Sequence, residues 1–343
     1  MNISMVGIDI AKNVFQLHGV DNTGKSVLKK QMSRDKLSVY IANLSPCTIV
    51  MESCGGANYW ASVFEKNEHT VKLISPQFIK PFVKTNKNDA NDAEAIVEAA
   101  SRPAMRFVPI KRNEQQDIQS IHRIRSRVVR NRTALINEIR GLNLEYGITI
   151  AAGAAKVKRS LSLIISDSKN GLTALSRECM QGLYDELIDI EIRVKNMNKK
   201  IKIICQQNET CQRILKIPGV GELTATAMVS AVPNANEFKN GRHLFAWLGL
   251  APRQSSSGGK QVLLGISKRG DRYLRTLLIH GARAGLSHYK NKDNEYGRWL
   301  TRKKETLCFN KAAVALANKN ARIIWSLLKT GEEFNYGSQG VAV

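Results

Sequence analysis

The chain has 343 residues, 43% hydrophobic and 24% charged, which is the balance of a folded protein with room for two or three domains and excludes a disordered one. Its 52 Lys and Arg against 29 Asp and Glu leave a formal net charge of +23, more than solubility needs, so a polyanionic partner is expected, nucleic acid first. No run of about 18 apolar residues and no basic-then-apolar leader is found, so a cytoplasmic protein with no membrane partner is expected. Six cysteines (Cys47, Cys54, Cys179, Cys205, Cys211, Cys308) show neither a C-x-x-C pair nor zinc-ligand spacing with His, and read as reduced thiols.

Taken in chain order, Met5 to Ile10 is an apolar strand, and Val14 to Val20 joins Ser26 to Lys30 through the turn Asp21-Asn22-Thr23-Gly24. Helices over Asp35 to Leu44 and Tyr59 to Glu65 alternate with strands over Thr48 to Met51 and Val71 to Ile74, which predicts an α/β domain with a mixed sheet over residues 1–110. Residues 111–210 read as a helical spacer. Glu114 to Leu142 carries Ile121, Val128, Leu135 and Leu142 at seven-residue intervals, and Leu183, Leu187, Ile190, Val194, Met197, Ile201 and Ile204 alternate by four and three as in a coiled coil. These two helices are expected to pack on each other or across a dimer, while Ala151 to Asn170 between them receives no firm structure. Residues 211–330 read as an α-rich domain of short helices, and 331–343 as a disordered tail.

Asp9 lies inside the first apolar strand, where a charge is costly unless paired or metal-bound, and Glu52 ends the apolar run Thr48 to Met51. Asp89 and Asp92 stand three apart at the start of a helix running to Ala100, and so share a face. The four carboxylates together would hold divalent ions for attack at a phosphate, and Mg²⁺ suits such hard ligands. Asp89 as a helix cap and Asp92 as a complement to the helix dipole is the competing explanation of that pair.

Further on, Ile217-Pro218-Gly219-Val220-Gly221 before an apolar helix resembles the hairpin of helix-hairpin-helix modules, whose glycines (here Gly219 and Gly221) let backbone N–H groups reach a phosphate; a tight turn between packed helices fits equally. Gln254-Ser255-Ser256-Ser257-Gly258-Gly259 is expected as a polar, flexible loop, with Arg253, Lys268, Arg269, Arg272 and Arg275 around it. A serine there, beside cations, suits attack on phosphorus, and a solvated linker next to a basic helix is the plainer reading. Arg123, Arg125, Arg127, Arg130 and Arg132 give the first long helix a positive face for nucleic acid.

In order along the chain, G-I-D-I-A-K, M-E-S-C-G-G, P-Q-F-I-K-P-F-V-K-T-N-K-N-D-A-N-D-A-E-A, R-T-A-L-I-N-E-I-R-G-L, I-P-G-V-G and F-A-W-L-G-L-A-P-R-Q-S-S-S-G-G-K resemble the DEDD transposases of bacterial insertion sequences, from about Val6 to Lys329. The resemblance implies an RNase H-like domain similar to the RuvC resolvase, with Asp9, Glu52, Asp89 and Asp92 as its metal-binding acids. It also implies a catalytic serine at Ser257, with Ser255 and Ser256 as neighbouring alternatives. Donor and target DNA, an element-encoded bridge RNA and a dimer or tetramer are the partners it implies, the acids of one subunit meeting the serine of another. The competing function is a metal-only, RuvC-like junction nuclease, whose carboxylates hydrolyse DNA with water and leave no protein–DNA bond.

Overall fold

The computed structural model describes residues 2–83, 89–257, 260–289 and 293–336; of Asp89, Ser257 and Gln261 it describes the backbone alone. The chain forms two compact units, residues 1–113 with 232–237, and residues 114–231 with 238–343. The expected spacer and α-rich domain thus lie in one unit.

The first unit runs β1 (Met5–Ile10), β2 (Val14–Val20), β3 (Ser26–Ser33), α1 (Arg34–Ala42), β4 (Thr48–Glu52), α2 (Ala57–Glu65), β5 (Thr70–Ile74), α3 (Pro76–Ile79), α4 (Asp89–Ala100) and β6 (Phe107–Val108). Its six strands are ordered β3-β2-β1-β4-β5-β6. The first three are antiparallel, β1, β4 and β5 are parallel, and β6 returns antiparallel to β5. The Asp21 turn forms as expected, its carboxylate accepting from the Thr23 amide at 2.8 Å and the Lys25 amide at 3.0 Å. Strand alternation splits the apolar side chains between two faces. Val6, Ile8, Ile49 and Met51 bury with Leu37, Trp60 and Phe64 on the side of α1 and α2. On the other side Val50 and Ile74 bury against Ala95, Ile96 and Ala99 of α4.

The second unit runs α5 (Asn113–Leu144), α6 (Ala154–Ser166), α7 (Ala174–Gln207), α8 (Glu209–Leu215), α9 (Glu222–Ala231), α10 (Gly241–Trp247), β7 (Pro252–Ser257), β8 (Lys260–Ile266), α11 (Arg272–His288), α12 (Glu295–Thr306) and α13 (Phe309–Thr330). Among the described residues no helix is long and apolar enough to cross a membrane. The heptad positions Leu187, Ile190 and Val194 of α7 bury against Val128, Leu135 and Ile139 of α5 and Val157 and Leu161 of α6. The seam is therefore occupied within the chain, and of the two expected arrangements the helices adopt the first. The segment given no firm structure holds α6, whose Val157, Leu161, Ile164 and Ile165 recur at helical spacing.

One further expectation is corrected. The polar stretch 254–257 is strand, not flexible loop: it pairs antiparallel with β8, Ser256 opposite Gln261 and Ser255 opposite Val262. In the tail, Phe334 and Tyr336 bring aromatic rings against the fold. Phe334 packs against Tyr296, Tyr336 stacks on Tyr289, and the Tyr336 hydroxyl donates to the Lys216 carbonyl at 3.4 Å. Residues 337–343 lie outside the described part.

Candidate functional site

Ile8 pairs with Met51 in the parallel ladder between β1 and β4, so one step further along Asp9 comes level with Glu52. Both residues alternate away from the Ile8 and Met51 side and stand, half-buried, at the strand ends on the face that α4 covers. The helix approaches closely because Gly7 has no side chain: a Cβ there would lie 2.6 Å from both the Ala93 carbonyl oxygen and a Val97 methyl. Met5 packs toward the cluster of Ala95, Ile96 and Ala99, and Gly7 lies beneath Ala93 and Val97, so α4 runs back along β1. Its first turn, with Asp89 and the half-buried Asp92, is directed to the strand ends that hold Asp9 and Glu52.

The electrostatics point the same way. Burial, then the charges of Glu52 and Asp9, push the Cys54 thiol above its ordinary range, so both carboxylates act on one spot beside the turn that follows β4. Two carboxylates at adjoining strand ends and a third on the covering helix are hard oxygen donors that suit a divalent cation. Among the described residues, however, no three His, Cys, Asp or Glu side chains close to metal-binding distance. Gly7 and Cys54 are the two residues here that the sequence reading passed over.

In the second unit the hairpin of β7 and β8 stands out from the core: Ser255 and Ser256 are exposed, as are Val262, Leu263 and Leu264. Its base is tied by the Ser267 amide donating to the Ala251 carbonyl at 2.7 Å and the Lys268 amide to the Gly249 carbonyl at 3.0 Å. Residues 249–251 and 267–268 thus frame the two ends of the hairpin. The Ser256 hydroxyl accepts from the Gln254 side-chain Nε2 at 2.8 Å. Arg253, Lys268, Arg269 and Arg272 are exposed nearby in sequence, but Arg275, expected among the nucleic-acid contacts, is 8% exposed and donates to the Leu248 carbonyl at 3.0 Å. It closes the fold beneath the hairpin instead.

The I-P-G-V-G turn joins α8 to α9. Gly219, with a left-handed φ of 85°, is pressed against α11, where a Cβ would meet the Gly281 carbonyl at 2.5 Å; only Gly221 has open space at that position. Along α5, Arg123, Arg127 and Arg130 are exposed at intervals of four and three, one face of the helix. Arg125 and Arg132 do not belong to that face. Arg125 donates to the Asn198 side chain at 2.6 Å, and the Nε of Arg132 is buried. The same helix holds His122, 3% exposed, between the Tyr273 and Thr226 hydroxyls, each 2.9 Å away. Burial and, to a lesser degree, Arg125 push its pKa down to about 4. The only sequence signal for it is an aromatic, titratable residue within a run of arginines.

A family model described as a transposase of the DEDD type matches residues 6–146, and one described as the transposase IS116/IS110/IS902 family matches residues 211–298. The chain is 49% identical to the transposase for insertion sequence element IS1111A of Coxiella burnetii, over 98% of this chain and 93% of that one. A probable family 20 transposase of Pseudomonas aeruginosa is 48% identical over 96% of this chain and 97% of its own. The transposase for insertion sequence element IS1328 of Yersinia enterocolitica is 37% identical, over 97% and 99%.

Proposed function

The chain belongs to the IS116/IS110/IS902 transposase family, and from that premise we propose that it cuts and rejoins DNA with a serine nucleophile on its β7–β8 hairpin and an acidic site at the ends of β1 and β4. The observation that carries the reading is the alignment of Asp9 with Glu52 on the face covered by α4. In this reading the first unit is RNase H-like, and Asp9, Glu52, Asp89 and Asp92 hold Mg²⁺. The bound ion would supply Lewis-acid stabilisation of charge at phosphorus.

The chain's own groups do the rest. The Ser257 oxygen attacks a DNA phosphorus, an Oγ–P bond forms as a backbone P–O bond breaks, and the severed strand end leaves as a hydroxyl that takes the serine proton. Arg253, Arg269 and Arg272 receive the negative charge that grows on the phosphoryl oxygens. Reversal of the step by the hydroxyl of another strand rejoins the DNA. Two half-sites on separate units favour an assembly of two or four chains, and the exposed arginines of α5 favour a second nucleic acid, an element-encoded bridge RNA, alongside the DNA.

The experiment is to trap the covalent intermediate. Wild-type protein should form a DNA adduct, while Asp9→Asn, Asp92→Asn and Ser257→Ala should not, with folding and DNA binding retained. Mixed Asp9→Asn and Ser257→Ala proteins should partly recover the adduct, because some assemblies hold one intact composite site. An adduct that survives Ser257→Ala but is lost in Ser255→Ala or Ser256→Ala moves the nucleophile. Cleavage with no adduct in any variant hands the function to a metal-only nuclease. Sequencing of RNA co-purified with the protein tests the guide: a discrete element-encoded species is expected, and random cellular RNA would sink it.

A further inference from the structure

We propose that the cavity between α5, α9 and the start of α11 is a nucleotide pocket, which takes one unstacked base of a single strand against Tyr273 while Arg123 and Arg130 hold the adjoining phosphates. The proposal rests on the nucleic-acid reading of α5 and goes beyond it, from a charged face to a site for a base.

The cavity measures about 210 Å³ and is lined by groups from three helices, with Gln119, Ser126 and the two arginines on α5, Ala227 and Ala231 on α9, and Tyr273 on α11. That is below the ~300–1,000 Å³ of pockets for drug-sized ligands, a size for one planar ring. The room exists because α9 presents alanines to it.

The polarity of the cavity separates a nucleotide from a bare anion. Thr226 lies with its oxygen 2.6 Å from the Glu222 carbonyl and 2.9 Å from His122 Nε2. Its single hydroxyl proton goes to the carbonyl, so His122 Nε2–H must donate to Thr226. The Nδ1 of a neutral ring is then an acceptor, and the Tyr273 hydroxyl donates to it at 2.9 Å. This chain fixes the tautomer of His122 and the orientation of the Tyr273 hydroxyl, and these two lining groups are uncharged; the one cation beside them, the Arg125 guanidinium, meets the Tyr273 hydroxyl from outside the lining. Arg123 and Arg130 are exposed. The one acid at the cavity, Asp271, is engaged in capping α11, where it accepts from the Tyr273 and Leu274 amides at 2.7 and 3.0 Å.

A bare phosphate would require cations lining the bottom, and Arg125 is not in the lining. A neutral aromatic floor with cations at the rim fits the opposite order, base inward and phosphate outward. The amide of Gln119 and the hydroxyl of Ser126 supply both donor and acceptor for a base edge.

The test compares full-length protein binding to a thymidine decamer with binding to an abasic decamer of the same phosphodiester length. Base stacking should make the thymidine strand bind about tenfold more tightly. Ser126→Leu, on a half-exposed helical position, fills the cavity and should bring the two affinities together by weakening the thymidine strand alone. A strand carrying 5-iodouracil should photocrosslink to Tyr273 or His122 in the wild type, and this needs no variant to fold. A uridine decamer run in parallel assigns the base to RNA or to DNA, according to which binds with the larger base-dependent gain. Equal binding of thymidine and abasic strands by the wild type overturns the pocket, as does a preference that survives Ser126→Leu or a crosslink mapped elsewhere. Failure of every strand to bind would instead strike the nucleic-acid reading of α5.

Discussion

In the first unit the charges of interest stand at the ends of strands whose central residues are buried, whereas in the second they stand on exposed helices and on a hairpin that buries almost nothing. Val6 and Ile8 beside Asp9, and Ile49 and Met51 beside Glu52, are wholly inaccessible, so the backbone that carries each acid cannot move without opening the core. Ser255 and Ser256 share their hairpin with an exposed Val262, Leu263 and Leu264, and only its base is tied to the fold. The difference teaches where precision comes from. The acids are placed by packing, while Ser255 and Ser256 sit on a hairpin that the fold holds only at its base.

Gly7→Val is the strongest way to break that comparison. The new side chain would enter space held by the Ala93 carbonyl and Val97, and the overpacking should cost about 3 kcal/mol. Because α4 must lift from β1, DNA cleavage should be lost together with protection of the α4 amides in hydrogen exchange. Asp9→Asn should lose cleavage and keep that protection. If Gly7→Val keeps full cleavage, the close approach of α4 has no bearing on the site.

In the second unit one buried exception is His122. Its folded pKa of about 4 lies below the ordinary value of 6.5, so between these the unfolded chain takes up a proton that the folded chain refuses. The stability it contributes is complete above about pH 6.5 and declines as pH falls toward 4, by on the order of 3 kcal/mol. Urea unfolding of wild type and His122→Asn across that window should show the steeper acid loss in the wild type. Parallel curves would mean that the ring is protonated, and solvated, in the folded chain.

The docked tail sharpens the comparison at smaller energy. Tyr336→Ala removes ring contacts with Tyr289, Tyr296 and Phe334, pairs worth ~0.5–1.5 kcal/mol each, from a side chain still 41% exposed. Faster proteolysis after Lys329 is expected, with the global unfolding midpoint nearly unchanged. No change in the proteolysis rate would show that the rings do not hold the tail.

What was legible in the sequence follows the same division. The bounds of β1, β2 and α4 could be read because burial imposes a period on them, and Asp9 stood out because it interrupts such a run. The seven-residue repeats of α5 and α7 were equally plain, yet they did not say which helix fills the seam, and Leu142, on the same repeat, is 41% exposed. The hairpin was missed for want of burial: polar 254–257 and apolar 262–264 show no alternation because neither face meets a core. Arg275 and Arg272 could not be told apart by type, since only their places on α11 decide which is buried. The ring contacts of Phe334 and Tyr336 were not legible, because the tail is otherwise poor in core residues.

The arginines of α5 give the smallest effect per residue and the finest distinction. Sequence places Arg123, Arg125, Arg127, Arg130 and Arg132 on one helix, but only Arg123, Arg127 and Arg130 are exposed along one face. Each phosphate contact removed from duplex DNA should reduce the slope of log affinity against log salt by ~0.9, so Gln at all three should flatten it by up to about 3. Arg125 is engaged with Asn198 and the buried Nε of Arg132 faces protein, so Arg125→Gln with Arg132→Gln should weaken folding and leave the slope as it was. Binding measured from low to moderate salt separates these outcomes. A flattened slope in the double variant, with none in the triple, would put the phosphates on the opposite side of α5 and remove the rim from the pocket beside it.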